Sequence, residues 1–261
     1  MENASLVGLS RQIALQRELD VVANNIANIN TTGFKADNVV FQEFLMPGAQ
    51  ANQFAGNDRR VSFVQDRATW LDLSQGPVEH TGNPLDVAIS GNAFLTVQTP
   101  RGERYTRNGA LQVNAQGQLV TSEGLAVIGQ NGPIVFQPND RDISIGVDGL
   151  ISVREGQNTT DSQRGKLKLA SFDQQQRLQK DATSTYMAPA GVTPQVPADA
   201  RVTQGAVEKS NVKSVLEMTR MIEVTRAYTQ IASMLQSQSD TRKSAIDKLA
   251  EVPTSKSFEG A

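Results

Sequence analysis

Each end of the chain carries apolar residues at the spacing of an α-helix, and these two stripes limit the possible folds more than any other feature. The N-terminal stripe steps by four, three, four and three residues, through Leu15, Leu19, Val22, Ile26 and Ile29. The C-terminal stripe steps by three and four, through Met221, Val224, Tyr228, Ile231 and Leu235. Such spacing is typical of a helix that packs against another helix. Because a single helix cannot bury its own stripe, we predict that the two terminal helices pair as a coiled-coil-like core domain.

The middle of the chain has the pattern of a β domain. Short runs rich in β-branched and aromatic residues follow one another, and dipeptides typical of turns separate them: Arg101-Gly102, Asn108-Gly109, Gln116-Gly117, Glu123-Gly124 and Asn131-Gly132. Regular turns of this kind indicate short antiparallel strands joined as hairpins. The predicted fold class is therefore α+β, with a mostly-β centre flanked by an N-terminal and a C-terminal helix.

These patterns divide the chain into five segments. We expect an N-terminal helical segment at 1–35, a connecting segment at 36–76, a β-rich domain at 77–205, a C-terminal helix at 206–250 and a flexible tail at 251–261. Asn30 is expected in a left-handed conformation at the end of the first helix, and Gly33 supplies the turn. Ser210 or Asn211 is expected to cap the start of the last helix.

Three amides lie close together near the end of the first helix. Asn24, Asn25 and Asn28 are three or four residues apart, so they can line one helix face. One interpretation is that they are exposed or capping residues at a fraying helix end. The alternative is a polar row that faces another copy or a sister protein and sets the register of the contact.

Composition excludes several kinds of chemistry. The 261 residues include no cysteine, which rules out disulfides, thiol catalysis and cysteine-bound metal. The net charge is -2, without a block of like charge, so nucleic acid is not an expected partner. No apolar run approaches the roughly 18 residues of a transmembrane span, and the start "MENASLVGLSRQ" lacks the pattern of a cleaved signal. Stable membrane insertion and signal cleavage are therefore not expected.

No catalytic, cofactor-binding or metal-binding residue is predicted. His80 is the single histidine, and neither of the common glycine-rich nucleotide-binding motifs occurs. We therefore expect a protein that is not an enzyme and needs no cofactor. A carbohydrate-active enzyme and an adhesin remain open alternatives, because acidic residues distant in sequence can meet in a fold.

Three stretches resemble the signatures of one protein family. "ANNIANINTTGFK" and "GAVEKSNVKSVLEMTRMIEVTRAY" are similar to the N-terminal and C-terminal signatures of the flagellar axial proteins, the rod and hook subunits of bacterial flagella. "TGNPLDVAISGNAFLTVQTPRGERYTRNGALQVNAQGQLVTSEGLAVIG" resembles their shared β domain, although "SGNAFLTV" lacks the further glycine and paired aromatics usual around Phe94. The opening "VGLSRQIALQRELDVVANNIAN" and the modest length most resemble the proximal-rod subunits, with distal-rod or hook-type subunits as the alternative.

The resemblance implies a structural role in the basal-body rod, the axial drive shaft of flagellar motility. In such subunits the terminal helices form the inner tube around the export channel, and the β domain lies outside. It further implies export through the flagellar type III apparatus without signal cleavage, a location in the periplasm-spanning rod, and contacts with other rod proteins and with copies of the same chain. The stripes lead us to expect helical arms that are mobile in the monomer and ordered on assembly. The residues expected at the assembly interface are Leu15, Leu19, Val22, Asn24, Asn25, Ile26, Asn28, Ile29, Gly33, Ser210, Asn211, Met221, Val224, Tyr228 and Ile231.

Overall fold

The computed structural model describes residues 2–47, 60–156, 160–182, 184–197 and 199–250. The predicted tail at 251–261 therefore lies outside the described residues. The helices are α1 (Glu2–Ala27) and α2 (Ser214–Ala250), with one 3-10 turn at Gln175–Arg177. The strands are β1 (Asp37–Pro47), β2 (Arg60–Leu71), β3 (Val78–His80), β4 (Val87–Ser90), β5 (Ala93–Thr99), β6 (Gly102–Thr106), β7 (Leu111–Val113), β8 (Leu119–Thr121), β9 (Ala126–Gly129), β10 (Gly132–Pro133), β11 (Asp140–Ile145), β12 (Leu150–Glu155), β13 (Asp161–Lys166), β14 (Leu169–Ser171), β15 (Gln179–Lys180), β16 (Thr185–Met187), β17 (Arg201–Gln204) and β18 (Ala206–Glu208).

The chain separates into two compact units. The helical unit comprises Met1–Ala23, Val39–Thr69 and Met218–Ala261, and the β unit comprises Asn24–Asn38 and Trp70–Glu217. An α+β fold with a mostly antiparallel β centre and a helix at each end of the chain is confirmed. Among the described helices, none combines the length and the apolar character needed to cross a bilayer.

In the helical unit, α1 and α2 run antiparallel. Gly8 lies against the side chain of Leu235, and the Gln12 amide donates a hydrogen bond of 3.1 Å to the Tyr228 hydroxyl. Further along α1, Glu18 pairs with Arg220 at 2.8 Å. Residues that come later in α1 therefore contact residues that come earlier in α2, as in an antiparallel pair. The segment after α1 supplies β1 and β2, which pair as a two-stranded sheet.

The end of α1 differs from the expectation at one residue. The helix closes with a bifurcated hydrogen bond, in which the Asn28 N–H donates to the carbonyls of Asn24 and Asn25 at 3.2 Å each. Gly33 has a φ of 67°, as its turn role requires. The left-handed conformation expected of Asn30 is wrong, because Asp142 is the only non-glycine with positive φ in the described part of the chain. The reversal takes place at Gly33, where a left-handed conformation carries no steric penalty.

The C-terminal helix begins later than the expected start of its segment at 206. Residues Ala206–Glu208 form β18, which pairs with Val78–His80, and α2 begins at Ser214. All three residues of β18 are buried, so burial in a sheet outweighs the continuation of helical spacing. The expected caps are also wrong: Ser210 accepts a hydrogen bond from Val212, and Asn211 bonds to segments far away in sequence.

The β unit is built around one large antiparallel sheet. Its strands run in the order β15-β16-β6-β5-β9-β8-β7, with β10 on β9 and β14 on β5, and β11-β12-β13 form a separate three-stranded sheet. The main apolar core contains Val87, Ile89, Ala93, Leu95, Val97, Leu111, Leu119, Val127, Ile134, Phe136, Ile145, Ile151, Val153, Leu167 and Val202. Two short pairs, β3 with β18 and β4 with β17, join the start of this region to its end.

A second core cluster explains the departure noted in "SGNAFLTV". Phe94 packs against Tyr186 with ring centroids 5.8 Å apart in an edge-to-face arrangement, and against Phe172 at 6.0 Å. Tyr105 meets Phe172 edge-to-face at 4.8 Å. Aromatic partners for Phe94 thus come from β16 and from the residue after β14 rather than from its sequence neighbours.

Candidate assembly interface

The predicted stripes lie mainly on the faces by which α1 and α2 meet. Val22 and Val224 are buried, whereas Leu15, Leu19 and Ile231 are half-buried. Tyr228 is also half-buried, and its hydroxyl accepts the hydrogen bond from Gln12. Within one chain, the stripes are therefore partly covered and partly exposed.

Other faces of the two helices carry further apolar side chains that are exposed. On α1 these are Leu6, Leu9 and Ile13, with 51%, 49% and 62% of their surface accessible. Ile13 is about two and a half helical turns from Val22 and so points away from α2. In the first turns of α2 they are Met218, Met221 and Ile222, at 52%, 41% and 53%. Beyond these turns, the same face of α2 becomes polar, at Thr225, Thr229 and Ser233.

The three asparagines of the predicted polar row do not share one environment. Asn25 is buried and forms reciprocal hydrogen bonds of 2.9 Å with the backbone N–H and carbonyl of Asp37, and its amide also donates to Glu217 at 3.3 Å. Asn24 is exposed, while Asn28 donates to the Asn24 carbonyl and accepts from Thr31. Asn25 thus fixes the chain after α1 within the β unit, whereas Asn24 is exposed and Asn28 is half-buried.

The segment that follows α1 is bound tightly inside the β unit. Gly33 donates its N–H to the carbonyl of Glu208 at 2.8 Å. A Cβ on Gly33 would overlap the backbone of Arg107 and Asn108. Phe34 and Lys35 are fully buried next to it. Gly33 therefore permits both the turn and the close approach of two backbones.

Lys35, Arg107 and Glu208 form a buried ionic cluster. The Lys35 ammonium donates to one carboxylate oxygen of Glu208 and to the carbonyl of Ser74, and Arg107 donates to the other carboxylate oxygen at 3.3 Å. The Gly76 N–H adds a hydrogen bond of 2.9 Å to Glu208. Burial lowers the pKa of Lys35, an effect that the charge of Glu208 opposes, and burial likewise lowers the pKa of Arg107. Through its bond to Lys35, Glu208 of β18 connects the segment that follows α1 to the strand that precedes α2.

Asn211 makes a second connection between the same parts of the chain. Its carbonyl oxygen accepts the Ala36 N–H at 2.8 Å, and its amide donates to the Asp72 carbonyl at 2.8 Å and to Ser74. Asp72 in turn donates its N–H to the Ala36 carbonyl at 2.9 Å. A single amide thus holds three separate segments together.

The predicted interface residues fall into three groups. Val22, Val224, Asn25, Gly33 and Ser210 are buried within the chain. Half-buried residues are Leu15, Leu19, Ile26, Asn28, Ile29, Asn211, Tyr228 and Ile231. Asn24 and Met221 are exposed.

Reasoning from the sequence missed the charged cluster, although all three of its members stand inside quoted signatures, Arg107 in the β-domain stretch. Lys35 ends "ANNIANINTTGFK" and Glu208 stands in "GAVEKSN". Hydrophobic periodicity identifies apolar faces and is blind to a buried charge. The available signal was the position of one basic and one acidic residue in two motifs from opposite ends of the chain.

Acidic and histidine side chains do not gather into a metal site among the described residues. No group of three or more histidine, aspartate or glutamate side chains in this part of the chain is placed to hold a metal ion. His80 is exposed in β3, opposite Ala206 of β18. The features that stand out among the described residues are the exposed apolar helix faces and the buried ionic cluster.

Comparison with known proteins gives consistent matches along the chain. Residues 6–35 match the family model "Flagella basal body rod protein", residues 88–153 match "Flagellar hook protein FlgE/F/G D1 domain", and residues 203–248 match "Flagellar basal body rod FlgEFG protein C-terminal". The flagellar basal-body rod protein FlgF of Caulobacter vibrioides is 38% identical, over 97% of this chain and 100% of its own length. FlgF of Mesorhizobium japonicum is 35% identical over 95% of this chain and 98% of its own. The rod protein FlgG of Agrobacterium fabrum is 35% identical over 90% of this chain and 94% of its own.

Proposed function

This chain belongs to the family of flagellar basal-body rod proteins, and from that premise we propose that it is a proximal-rod subunit that polymerises through its terminal helices. It is a structural subunit of the flagellar basal-body rod. The proximal position is supported by the resemblance of residues 7–28 to proximal-rod subunits. The role requires neither catalysis nor a cofactor.

The observation that carries the proposed mechanism is the pair of exposed apolar faces on the helical unit. Leu9 and Ile13 on α1 and Met218 and Ile222 on α2 point away from the partner helix of the same chain. Exposed apolar patches of this kind on a soluble subunit mark interaction sites. The exposed apolar face of α1 in one subunit packs against the exposed apolar face of α2 in the next subunit.

Such a contact has the symmetry of a rod. Because it joins two different surfaces, it is heterologous, and a heterologous contact that does not close on itself extends into a helical filament. Leu15, Leu19 and Ile231 are half-buried, and the surface that they leave exposed supplies a second layer of contacts. In this layer, neighbouring subunits complete coiled-coil-like packing.

The energy of one such contact is modest. Burying about 500 Å² of apolar surface at about 25 cal/mol per Å² yields on the order of 12 kcal/mol. Association costs about 4–15 kcal/mol in lost freedom before any ordering of side chains. A single contact is therefore weak, and stable assembly requires that each subunit meet several neighbours at once.

We further propose that the subunit reaches the periplasm-spanning rod through the flagellar type III export apparatus without losing a signal segment. Support comes from the family to which the chain belongs. A subunit that assembles only weakly in pairs stays monomeric at low concentration, which suits passage through an export channel.

Charge substitutions on the two faces test the proposed contact. Ile13→Lys and Ile222→Asp should each prevent polymerisation of the purified protein, measured by sedimentation, because each buries an unpaired charge. An equal mixture of the two variants should polymerise again, since alternating subunits place the introduced ammonium on α1 against the introduced carboxylate on α2. Ser233→Asp, on the polar part of the same α2 face, is the matched control. Failure of the mixture to assemble would reject the α1-to-α2 contact, and assembly by either variant alone would reject both faces.

A separate experiment tests the proximal position. Deletion of the gene from its host should leave basal bodies with a truncated rod when they are imaged by electron microscopy, and the wild-type gene should restore them. An intact rod in the deletion strain would contradict the assignment.

A further inference from the structure

The sequence contains two Asn-Gly pairs, Asn108-Gly109 and Asn131-Gly132, and they lie in opposite environments. In such a pair the glycine nitrogen can attack the asparagine side-chain carbonyl carbon, because glycine has no side chain to obstruct the approach. We propose that Asn131 is a site of spontaneous deamidation in the folded protein and that Asn108 is protected.

The reaction needs only water. The backbone nitrogen of Gly132 forms a bond to Cγ of Asn131 and loses its proton, while the side-chain nitrogen leaves as ammonia. Water then opens the resulting succinimide at either carbonyl, which gives aspartate or isoaspartate. No oxidant, reductant or further reactant takes part.

The surroundings of Asn131 permit this attack. Asn131 is exposed, and no recorded side-chain hydrogen bond joins it to another described residue. Gly132 has a φ of 118°, and a Cβ built on it would meet no atom within 4 Å. The hairpin is also weakly held, because β10 has only two residues and one of them, Pro133, has no N–H to donate. Local opening at such a strand end is easy.

The surroundings of Asn108 prevent the same attack. Asn108 is 2% exposed, and its side-chain oxygen accepts hydrogen bonds from Thr32 at 2.6 Å and from Ala110 at 3.1 Å, while its amide donates to Ser122 at 3.0 Å. Gly109 is packed against the backbone of Val87, whose N–H donates to its carbonyl at 2.9 Å. Cγ cannot turn toward the Gly109 nitrogen without breaking this packing.

The product would alter the surface of the β unit. Aspartate or isoaspartate adds a negative charge at the β9–β10 turn, and isoaspartate adds one atom to the backbone path. The neighbouring Gln130 donates its N–H to the Lys166 carbonyl at 2.8 Å, so the turn is connected to the last residue of β13.

The test is incubation of the folded full-length protein at mildly alkaline pH, followed by peptide mass spectrometry. A mass increase of about one dalton should accumulate at Asn131 at least about tenfold faster than at Asn108. In urea, where the protection is lost, the two sites should react at similar rates. Asn131→Gln should suppress the folded-state product without changing the circular dichroism spectrum. Equal rates at both sites in the folded protein, or reaction at Asn131 only in urea, would overturn the proposal.

Discussion

Glu208 places a negative charge in the interior of the β unit, where it is 1% exposed between Lys35 and Arg107. We expect Glu208→Gln to lower the free energy of unfolding by about 3–5 kcal/mol, because it leaves two buried cations without their counter-charge. Urea denaturation followed by tryptophan fluorescence measures this change.

The control for this substitution is Glu79→Gln. Glu79 pairs with Lys209 at 3.2 Å on the surface, so its loss should cost less than about 1 kcal/mol. If both variants lose the same stability, the cluster is not a structural centre of the β unit.

Gly33 offers a second test at the scale of a single residue. Gly33→Ala should destabilise the protein by more than about 2 kcal/mol, because the new Cβ adds an overlap with Arg107 and Asn108 to the strain of a positive φ. Gly124→Ala is the matched control: its φ is 82°, but no atom lies within 4 Å of the added Cβ, so only about 1 kcal/mol is expected. Thermal unfolding of both variants would decide, and equal losses would contradict the overlap argument.

Individual residues are predictable from the sequence where local geometry alone determines their conformation. Gly33 is identifiable as a turn because Thr31, Thr32 and Gly33 cannot continue a helix. Asn211 is expected near the start of α2, yet its actual partners, at Ala36 and Asp72, are far away in sequence. Partners that depend on the three-dimensional fold leave no local signal.

At the scale of elements, one arginine connects all three strands of the β11-β12-β13 sheet. Arg164 of β13 binds Asp140 of β11 through two hydrogen bonds of 2.6 and 2.7 Å, and it binds Glu155 of β12 at 2.6 Å. Asp140 is almost fully buried. The hydrogen bond from Arg164 lowers the pKa of Asp140 below its ordinary value.

This ion pair gives the protein a pH-dependent stability with a defined sign. Because the pKa of Asp140 is lower in the folded state, its contribution is fully present above the unfolded-state value near 3.8 and is lost as the pH falls through the folded value. We expect Asp140→Asn to be less stable at pH 7 and to lose less stability than wild type on further acidification. Denaturation midpoints between neutral and acid pH measure this. Parallel curves for the two proteins would contradict it.

The sequence predicts element type more reliably than element limits. Four-three spacing correctly placed α1 and α2, since apolar periodicity reflects the face that a long helix buries. The three-residue strand β18 was expected to be helical, because so short a run has no period of its own and its strand state depends on pairing with β3.

At the scale of the whole molecule, the central prediction is that order in the arms increases with assembly. We expect far-ultraviolet circular dichroism of the monomer to show fewer helical residues than the 26 of α1 and 37 of α2, and we expect the signal to rise on polymerisation. The exposed apolar faces explain this, because a helix whose face lacks a partner receives little stabilisation from packing. A monomer with the full helical content, and no increase on assembly, would contradict it.

The sequence also indicates that both chain ends lie in one helical region, because two stripes of matching rhythm each need a partner. It does not indicate which side of each helix faces outward. Leu6, Leu9 and Ile13 share a face by their spacing, but spacing alone does not say whether a partner within the chain or in a neighbour covers it.

The pairing of β3 with β18 and of β4 with β17 brings the entry and exit of the large sheet side by side. The chain therefore enters and leaves the body of the β unit, residues 91–200, through two adjacent pairs of strands. A surface turn of this body can change in length while the paired strands and the core stay the same. The exposed turn at Ser122–Gly124 is accordingly a natural place to splice an epitope or fluorescent tag into a working motor.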